Sequence, residues 1–176
     1  MKNISQKLSY LLRHNPETLI MDENGYVFVD ELLNYVQIFK TDLDYIVESN
    51  NKKRFSYSED GKKIRASQGH TIPGLTINMQ VVKPVDILYH GTSEENYLKI
   101  KESGHIDKME RHYVHLTDDI DTAYAVGKRY SKNNDPIILK INARQMYDDG
   151  FIFKLSDNNV YQVELVPIKY IIKINR

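Results

Sequence analysis

The 176-residue sequence contains no cysteine, which excludes a disulfide framework, a thiol nucleophile and a thiolate metal site. A chain of this kind suits a reducing compartment, and the cytoplasm is the expectation. No apolar run approaches the roughly 20 residues of a membrane span. The opening residues, Met1-Lys2-Asn3-Ile4-Ser5-Gln6-Lys7-Leu8, hold no apolar core of signal-peptide length, so a soluble, unanchored protein is expected. Net charge is also missing: 24 Lys and Arg balance 24 Asp and Glu, so a local excess of one sign is placed rather than a by-product of composition. There is no glycine-rich dinucleotide fingerprint, which excludes a Rossmann-type nucleotide site. Internal repeats and low-complexity segments are absent. Of the six histidines, only His112 and His115 stand close together. On an alternating stretch they point to opposite faces, no acid stands at ligand spacing, and no metal site is expected.

What is present is enough for real cores. The chain is 41% apolar, and its length suits two compact lobes. Ile4, Leu8, Leu11 and Leu12 recur at helical spacing after Asn3, a capping residue with Gln6 three places on, and Pro16 forces an end, which predicts a helix over 3–14. Arg13 and His14 fall in its last turn, where cations suit the negative end of the helix dipole; spacing alone gives them no further role. Gly25–Val29 reads as a strand, Asp30 and Asp42 as the starts of two helices, and Phe55 and Tyr57, the Glu59-Asp60-Gly61 turn and Ile64 as a hairpin. Three helices followed by a hairpin is the order of a winged-helix module. The hairpin region carries six Lys or Arg (Lys52, Lys53, Arg54, Lys62, Lys63, Arg65) against two acids within residues 52–65. That concentration predicts docking of a phosphorylated molecule. For the lysines the ordinary reading is a solvated charge.

Gln80-Val81-Val82-Lys83-Pro84 reads as a connector. Beyond it a buried strand over Ile87–Thr92 ends beside Gly91, and Ser93 caps a helix that Gly104 stops. Strand-like Tyr113–Thr117, a helix over Asp118–Tyr130, Ile137–Ile141, Phe151–Phe153 and the run Val160–Ile172 follow. The second lobe is thus α+β with short strands. No segment shows a long unsatisfied apolar face, so a monomer without an obligate protein partner is the default.

Several segments taken in order resemble one family. Leu8-Ser9-Tyr10-Leu11-Leu12-Arg13-His14-Asn15-Pro16, Lys53-Arg54-Phe55, Ile64-Arg65-Ala66-Ser67-Gln68-Gly69-His70, His90-Gly91-Thr92, Val114-His115-Leu116-Thr117 and Val126-Gly127-Lys128-Arg129 are similar to the motif blocks of the NAD-dependent RNA 2′-phosphotransferases, also called tRNA 2′-phosphotransferases. The resemblance implies an α+β chain with a winged-helix RNA-binding lobe over 1–82 and an ADP-ribosyltransferase-like NAD-binding lobe over 83–176. It implies removal of an internal 2′-phosphate from RNA, with tRNA in splicing or another RNA in repair as the carrier and NAD consumed as co-substrate. The 2′-phosphate attacks the ribose carbon bearing nicotinamide. The 2″-hydroxyl of the 2′-phospho-ADP-ribosylated RNA then attacks the phosphate, leaving RNA with a 2′-OH, ADP-ribose 1″,2″-cyclic phosphate and nicotinamide.

By that resemblance Arg13, His14, Arg54 and Arg129 contact the transferred phosphate, and His14 is a candidate proton donor to the leaving RNA oxygen. Arg65 competes with Arg54 for the third place. Lys53, Gln68 and His70 are candidates for RNA or phosphate contact, a packed histidine being the equal alternative for His70. His90, with Gly91 and Thr92, is assigned to an NAD ribose hydroxyl, and His115, with Leu116 and Thr117, to the nicotinamide side. Phe153 is a candidate stacking ring, against the commoner role of an aromatic in a core. A catalytic Glu of other ADP-ribosyltransferases has Val160 at its matching place, with Glu164 nearby; a phosphate monoester, already anionic at pH 7, needs no such base. The alternatives are an ADP-ribosyltransferase that caps nucleic-acid phosphates and a non-enzymatic winged-helix binder.

Overall fold

In the computed structural model, residues 2–50, 53–131 and 134–174 are described, Lys2 in its backbone only. Lys52, one of the hairpin charges, lies outside them. The chain divides into two compact units, Met1–Met79 with Ser156–Asn158, and Gln80–Leu155 with Asn159–Arg176.

The first unit runs α1 (Lys2–Arg13), β1 (Val27–Phe28), α2 (Val29–Val36), α3 (Lys40–Glu48), β2 (Phe55–Tyr57) and β3 (Lys63–Ala66). The apolar stripe of α1 places Leu8, Leu11 and Leu12 in a core with Leu32, Leu43, Phe55 and Ile64, as the 3.6-residue period requires. The strands form an antiparallel sheet in the order β1-β3-β2, with Val27 opposite Ile64 and Phe55 opposite Ala66. Gly61, at φ +70°, takes the left-handed position that closes the hairpin turn. Two expected caps are not used. The first helix begins at Lys2, before Asn3, and α2 begins at Val29, before Asp30. There β1 runs directly into the helix, and the hairpin supplies what a cap would: the Val29 N–H donates to the Lys62 carbonyl at 2.9 Å. Asp42 sits in the first turn of α3 and accepts the Phe39 N–H at 3.2 Å.

The second unit comprises β4 (Gln80–Val82), β5 (Ile87–Thr92), α4 (Glu94–Ser103), β6 (His105–Asp107), β7 (Val114–Leu116), α5 (Ile120–Lys128), β8 (Ile137–Asn142), α6 (Ala143–Asp148), β9 (Phe153–Leu155), β10 (Tyr161–Val163), β11 (Leu165–Pro167) and β12 (Ile171–Ile174). All its ladders are antiparallel, in sheets ordered β4-β9-β10-β7, β11-β6 and β12-β8-β5. Because β4 pairs with β9, residues 80–82 belong to this unit and the boundary falls before them, not after. Leu88, Leu139, Ile141, Met146, Phe153 and Val166 are wholly buried at its centre. Ser93 caps α4 by accepting the Asn96 N–H at 3.2 Å, and Gly104, at φ +81°, ends it as expected. Asp119 caps α5 through the backbone N–H groups of Asp121 and Thr122.

In this unit β5 and α5 approach each other closely. A Cβ built on Gly91 would stand 1.7 Å from the Ala123 carbonyl oxygen and 2.8 Å from the Gly127 nitrogen; one built on Gly127 would stand 3.0 Å from the Thr92 nitrogen. The two glycines let strand and helix cross backbone to backbone. Among the described residues the architecture is mixed, with six helices and antiparallel sheets, and no helix is long and apolar enough to cross a membrane.

Candidate functional site

The polar side of α1 carries Ser5, Gln6, Ser9 and Tyr10, and with His14 and Arg54 these residues line a cavity of about 450 Å³ in the first unit. The apolar stripe of the same helix faces the core, so amphipathicity alone turns the hydroxyls toward the opening. Beyond the helix end, Thr71 donates its backbone N–H to the Arg13 carbonyl at 2.8 Å, and its hydroxyl stands 3.0 Å from His14 Nδ1. The segment after the hairpin therefore pins the turn that carries Arg13 and His14. Tyr10 leans on His14 with ring centroids 6.1 Å apart. Arg54, half-buried, stands 3.4 Å from the Asn50 side-chain oxygen. A guanidinium, an imidazole and several hydroxyls around one opening form a donor-rich site for a phosphate-sized anion.

The fold separates the two arginines that the sequence left in competition. Arg54 joins His14 at the cavity, whereas Arg65 is held elsewhere. Only 7% exposed, Arg65 pairs with Asp157 at 2.9 Å, stacks 4.7 Å from the centre of the Tyr26 ring and reaches the Asn24 carbonyl at 3.5 Å. The Ser56 hydroxyl donates to the same Asp157 carboxylate at 2.8 Å. Gln68 and His70 follow on the interior side: Gln68 Oε1 is buried without a partner among the described residues, and His70 is 4% exposed and packs close to Gly25. Lys53 is exposed, and its carbonyl accepts the Ser67 hydroxyl at 2.6 Å.

In the second unit the histidines meet. His90 Nδ1 lies 3.1 Å from the His115 carbonyl oxygen. A carbonyl only accepts, so Nδ1 carries the proton and Nε2 of a neutral His90 is an acceptor. Burial pushes the His90 imidazole below its ordinary value, the nearby Arg111 charge adds to this, and the bond to the His115 carbonyl opposes both. Arg111 Nη1 lies 2.8 Å from His115 Nδ1. A guanidinium only donates, so His115 Nδ1 accepts and its proton sits on Nε2. One ring is fixed as an acceptor and the other as a donor. A Tyr89–Thr117 bridge joins β5 to the chain just beyond β7, which holds the two histidines in register.

Arg111, which the sequence reading did not single out, is the residue bonded to the His115 ring. Its only signal was its place four residues before His115, in a stretch without clear periodicity. Arg129 instead ends α5, exposed, with its backbone N–H on the Val126 carbonyl; the arginine joined to the histidine pair is Arg111. Other assignments change in kind. Phe153 is wholly buried in the core and Leu116 is 2% exposed, so neither side chain presents a surface to a ligand. The close approach that Gly91 permits is that of α5. Thr92 is buried, and its carbonyl is 3.4 Å from the Ser131 hydroxyl; the Thr117 hydroxyl accepts the Asp119 N–H at 3.1 Å. Val160 and Glu164 flank β10. Among the described residues no three His, Asp or Glu side chains gather as a metal site.

The model of the family described as "RNA 2′-phosphotransferase, Tpt1 / KptA family" matches residues 1–164. The chain is 45% identical over 177 residues to a probable RNA 2′-phosphotransferase of Flavobacterium johnsoniae, covering 97% of this chain and 94% of the relative. It is 44% identical over 179 residues to the protein of the same description from Trichormus variabilis, covering 98% and 96%. The corresponding Fusobacterium nucleatum protein is 42% identical over 171 residues, with 93% of each chain covered.

Proposed function

The chain belongs to the RNA 2′-phosphotransferase, Tpt1 / KptA family, and from that premise we propose that it removes an internal 2′-phosphate from RNA by transferring it to NAD. The observation that carries the NAD half is the linked set His90, His115 and Arg111, in which the fold fixes one imidazole as acceptor and the other as donor. In this reading the first unit is the winged-helix RNA lobe, and the second is the ADP-ribosyltransferase-like lobe.

The acceptor nitrogen of His90 suits a ribose hydroxyl, which has a proton to give. The donor nitrogen of His115 suits an oxygen on the nicotinamide side. Arg13, His14 and Arg54 hold the 2′-phosphate, which attacks the ribose carbon as nicotinamide leaves. A phosphate monoester is nucleophilic at pH 7, so this step calls for alignment and charge management, and the absence of a Glu at Val160 costs nothing. In the second step the 2″-hydroxyl of the ADP-ribosylated RNA attacks the phosphorus. The P–O bond to the RNA 2′-oxygen breaks, and ADP-ribose 1″,2″-cyclic phosphate is released. Arg13 and Arg54 stabilise the charge that builds on the phosphoryl oxygens, and His14 protonates the departing RNA oxygen.

The experiment is incubation with a short RNA bearing one internal 2′-phosphate, with and without NAD, resolving both RNA and small-molecule products. NAD-dependent loss of the phosphate with formation of the cyclic phosphate is the expected result. RNA stalled as an ADP-ribosyl adduct would make the protein a phosphate-capping transferase, and RNA bound but unchanged would make it a binder. An H14A variant should accumulate the ADP-ribosylated RNA. If it clears that species as fast as the parent, His14 is not the proton donor.

A further inference from the structure

A buried polar group without a partner costs stability, so its presence asks for a reason. Gln162 is such a group: it is 3% exposed, and its Nε2 is buried with no hydrogen-bond partner among the described residues. Register shows where it stands. On β10 Gln162 is opposite His115 of β7 on one side and Lys154 of β9 on the other, while Lys154 is opposite Val81 of β4. Residues directly opposite share a face, so Val81, Lys154, Gln162 and His115 form one row across the four-stranded sheet. The alternate residues, Phe153, Val163, Val114 and Leu116, face the core. Gln162 is therefore buried on the face that carries His115, away from the apolar core.

Beside it on that face stands a bridge. Lys154 Nζ donates to the Tyr113 hydroxyl at 2.7 Å and stands 4.8 Å from the centre of its ring. Since β10 lies between β9 and β7, this bridge crosses the strand at Gln162. Neither bridging group bonds the carboxamide, whose N–H donor is left without a partner among the described residues.

We propose that Gln162 is a specificity-determining residue of the NAD site, donating Nε2–H to an oxygen acceptor on the nicotinamide riboside half. The inference rests on the NAD reading above and goes beyond the histidine pair. Gln162 is the cross-strand neighbour of His115, the residue assigned to that half. A neutral donor suits the place, because that half offers acceptor oxygens in its carboxamide and its ribose hydroxyls, and a buried carboxylate there would repel the dinucleotide phosphates.

The test is calorimetric titration of the full chain with NAD and, separately, with ADP-ribose, which keeps the ribose hydroxyls and lacks nicotinamide. RNA is omitted so that nothing turns over. Parent, Q162L and Q162M are compared, with the melting temperature of each unliganded protein. Both variants should melt no lower than the parent, since each removes an unpartnered donor, and should bind NAD about tenfold more weakly, the worth of one hydrogen bond. Equal weakening toward ADP-ribose places the acceptor on the ribose; weakening toward NAD alone places it on the carboxamide. Parent-like NAD affinity in both variants overturns the assignment, and with lowered melting temperatures it makes Gln162 a packing residue. A parent that binds neither ligand overturns the NAD reading, and this inference with it.

Discussion

Replacing Gly91 by alanine should unfold the second unit more readily than its single methyl suggests. The added Cβ would lie 1.7 Å from the Ala123 carbonyl oxygen, 2.7 Å from its carbon and 2.8 Å from the Gly127 nitrogen. All three are backbone atoms of α5, so no rotamer change relieves the contact, and the helix must retreat on the order of 1.5 Å to restore ordinary separations. Overpacking typically costs 1–3 kcal/mol. Here the retreat also lifts the buried Ala123 and Gly127 off β5, which puts the expected loss at about 3 kcal/mol or more, or roughly 6–12 °C in Tm. Urea unfolding gives the midpoint, and hydrogen exchange should show protection lost in residues 87–92 and 120–128 while α1 keeps its own. G61A is the control: its Cβ meets nothing within 4 Å, so it carries only the left-handed backbone penalty of about 1–2 kcal/mol. Adding G127A to G91A should cost less than the two singly, because the first retreat makes room for the second. A G91A midpoint no lower than that of G61A would refute the argument.

Three further outcomes follow from the same geometry. R111M should lose about 10²-fold or more in turnover, because the donor that fixes the His115 tautomer is gone, while R129M should stay within a few-fold of the parent; the reverse order in a 2′-phosphate removal assay would restore Arg129 to the site. Because the His90 value is depressed by burial, protonation favours the unfolded chain, so this contribution is complete above about pH 6.5 and is lost as pH falls toward the folded value, with a slope of at most about 1.4 kcal/mol per pH unit; urea midpoints between pH 7.5 and 5 should decline less steeply in H90Q, and an unchanged slope would count against it. F153A should cost about 3–5 kcal/mol as a core cavity, whereas F153L should keep parent-like NAD affinity; a large affinity loss in F153L at unchanged Tm would return the ring to the ligand.

The motif residues near the termini of regular elements were the most legible. Arg13 and His14 could be placed because helical spacing and Pro16 bracket them, and the Ser93 and Gly104 signals that delimit α4 depend on local backbone chemistry alone. What the sequence could not show is what distant chain supplies. Asn3 and Asp30 look like caps, yet the hairpin's Lys62 carbonyl takes the donor at the start of α2. Gly91 looks like a ligand approach, yet its neighbour is a helix that begins 29 residues later. Arg54 and Arg65 are indistinguishable as hairpin charges until Asp157, 92 positions away from Arg65, claims one of them. Arg111 and Arg129 lie in equally plausible stretches, and only the return of β7 beside β5 brings Arg111 to the histidine pair.

The ion pair between Arg65 and Asp157 also bears on the order in which the molecule can be made. Asp157 is counted with the first unit although 76 residues of the second precede it in the chain. On a ribosome adding about 5–20 residues each second, the N-terminal unit waits roughly 4–15 s after residue 79 before that carboxylate exists. Throughout that interval a nearly buried guanidinium lacks its counter-charge, so nascent chains stopped before residue 156 should resist protease less well in the hairpin than chains stopped after it has emerged. Full protection in the shorter chains would show that the first unit completes itself without its late-arriving acid.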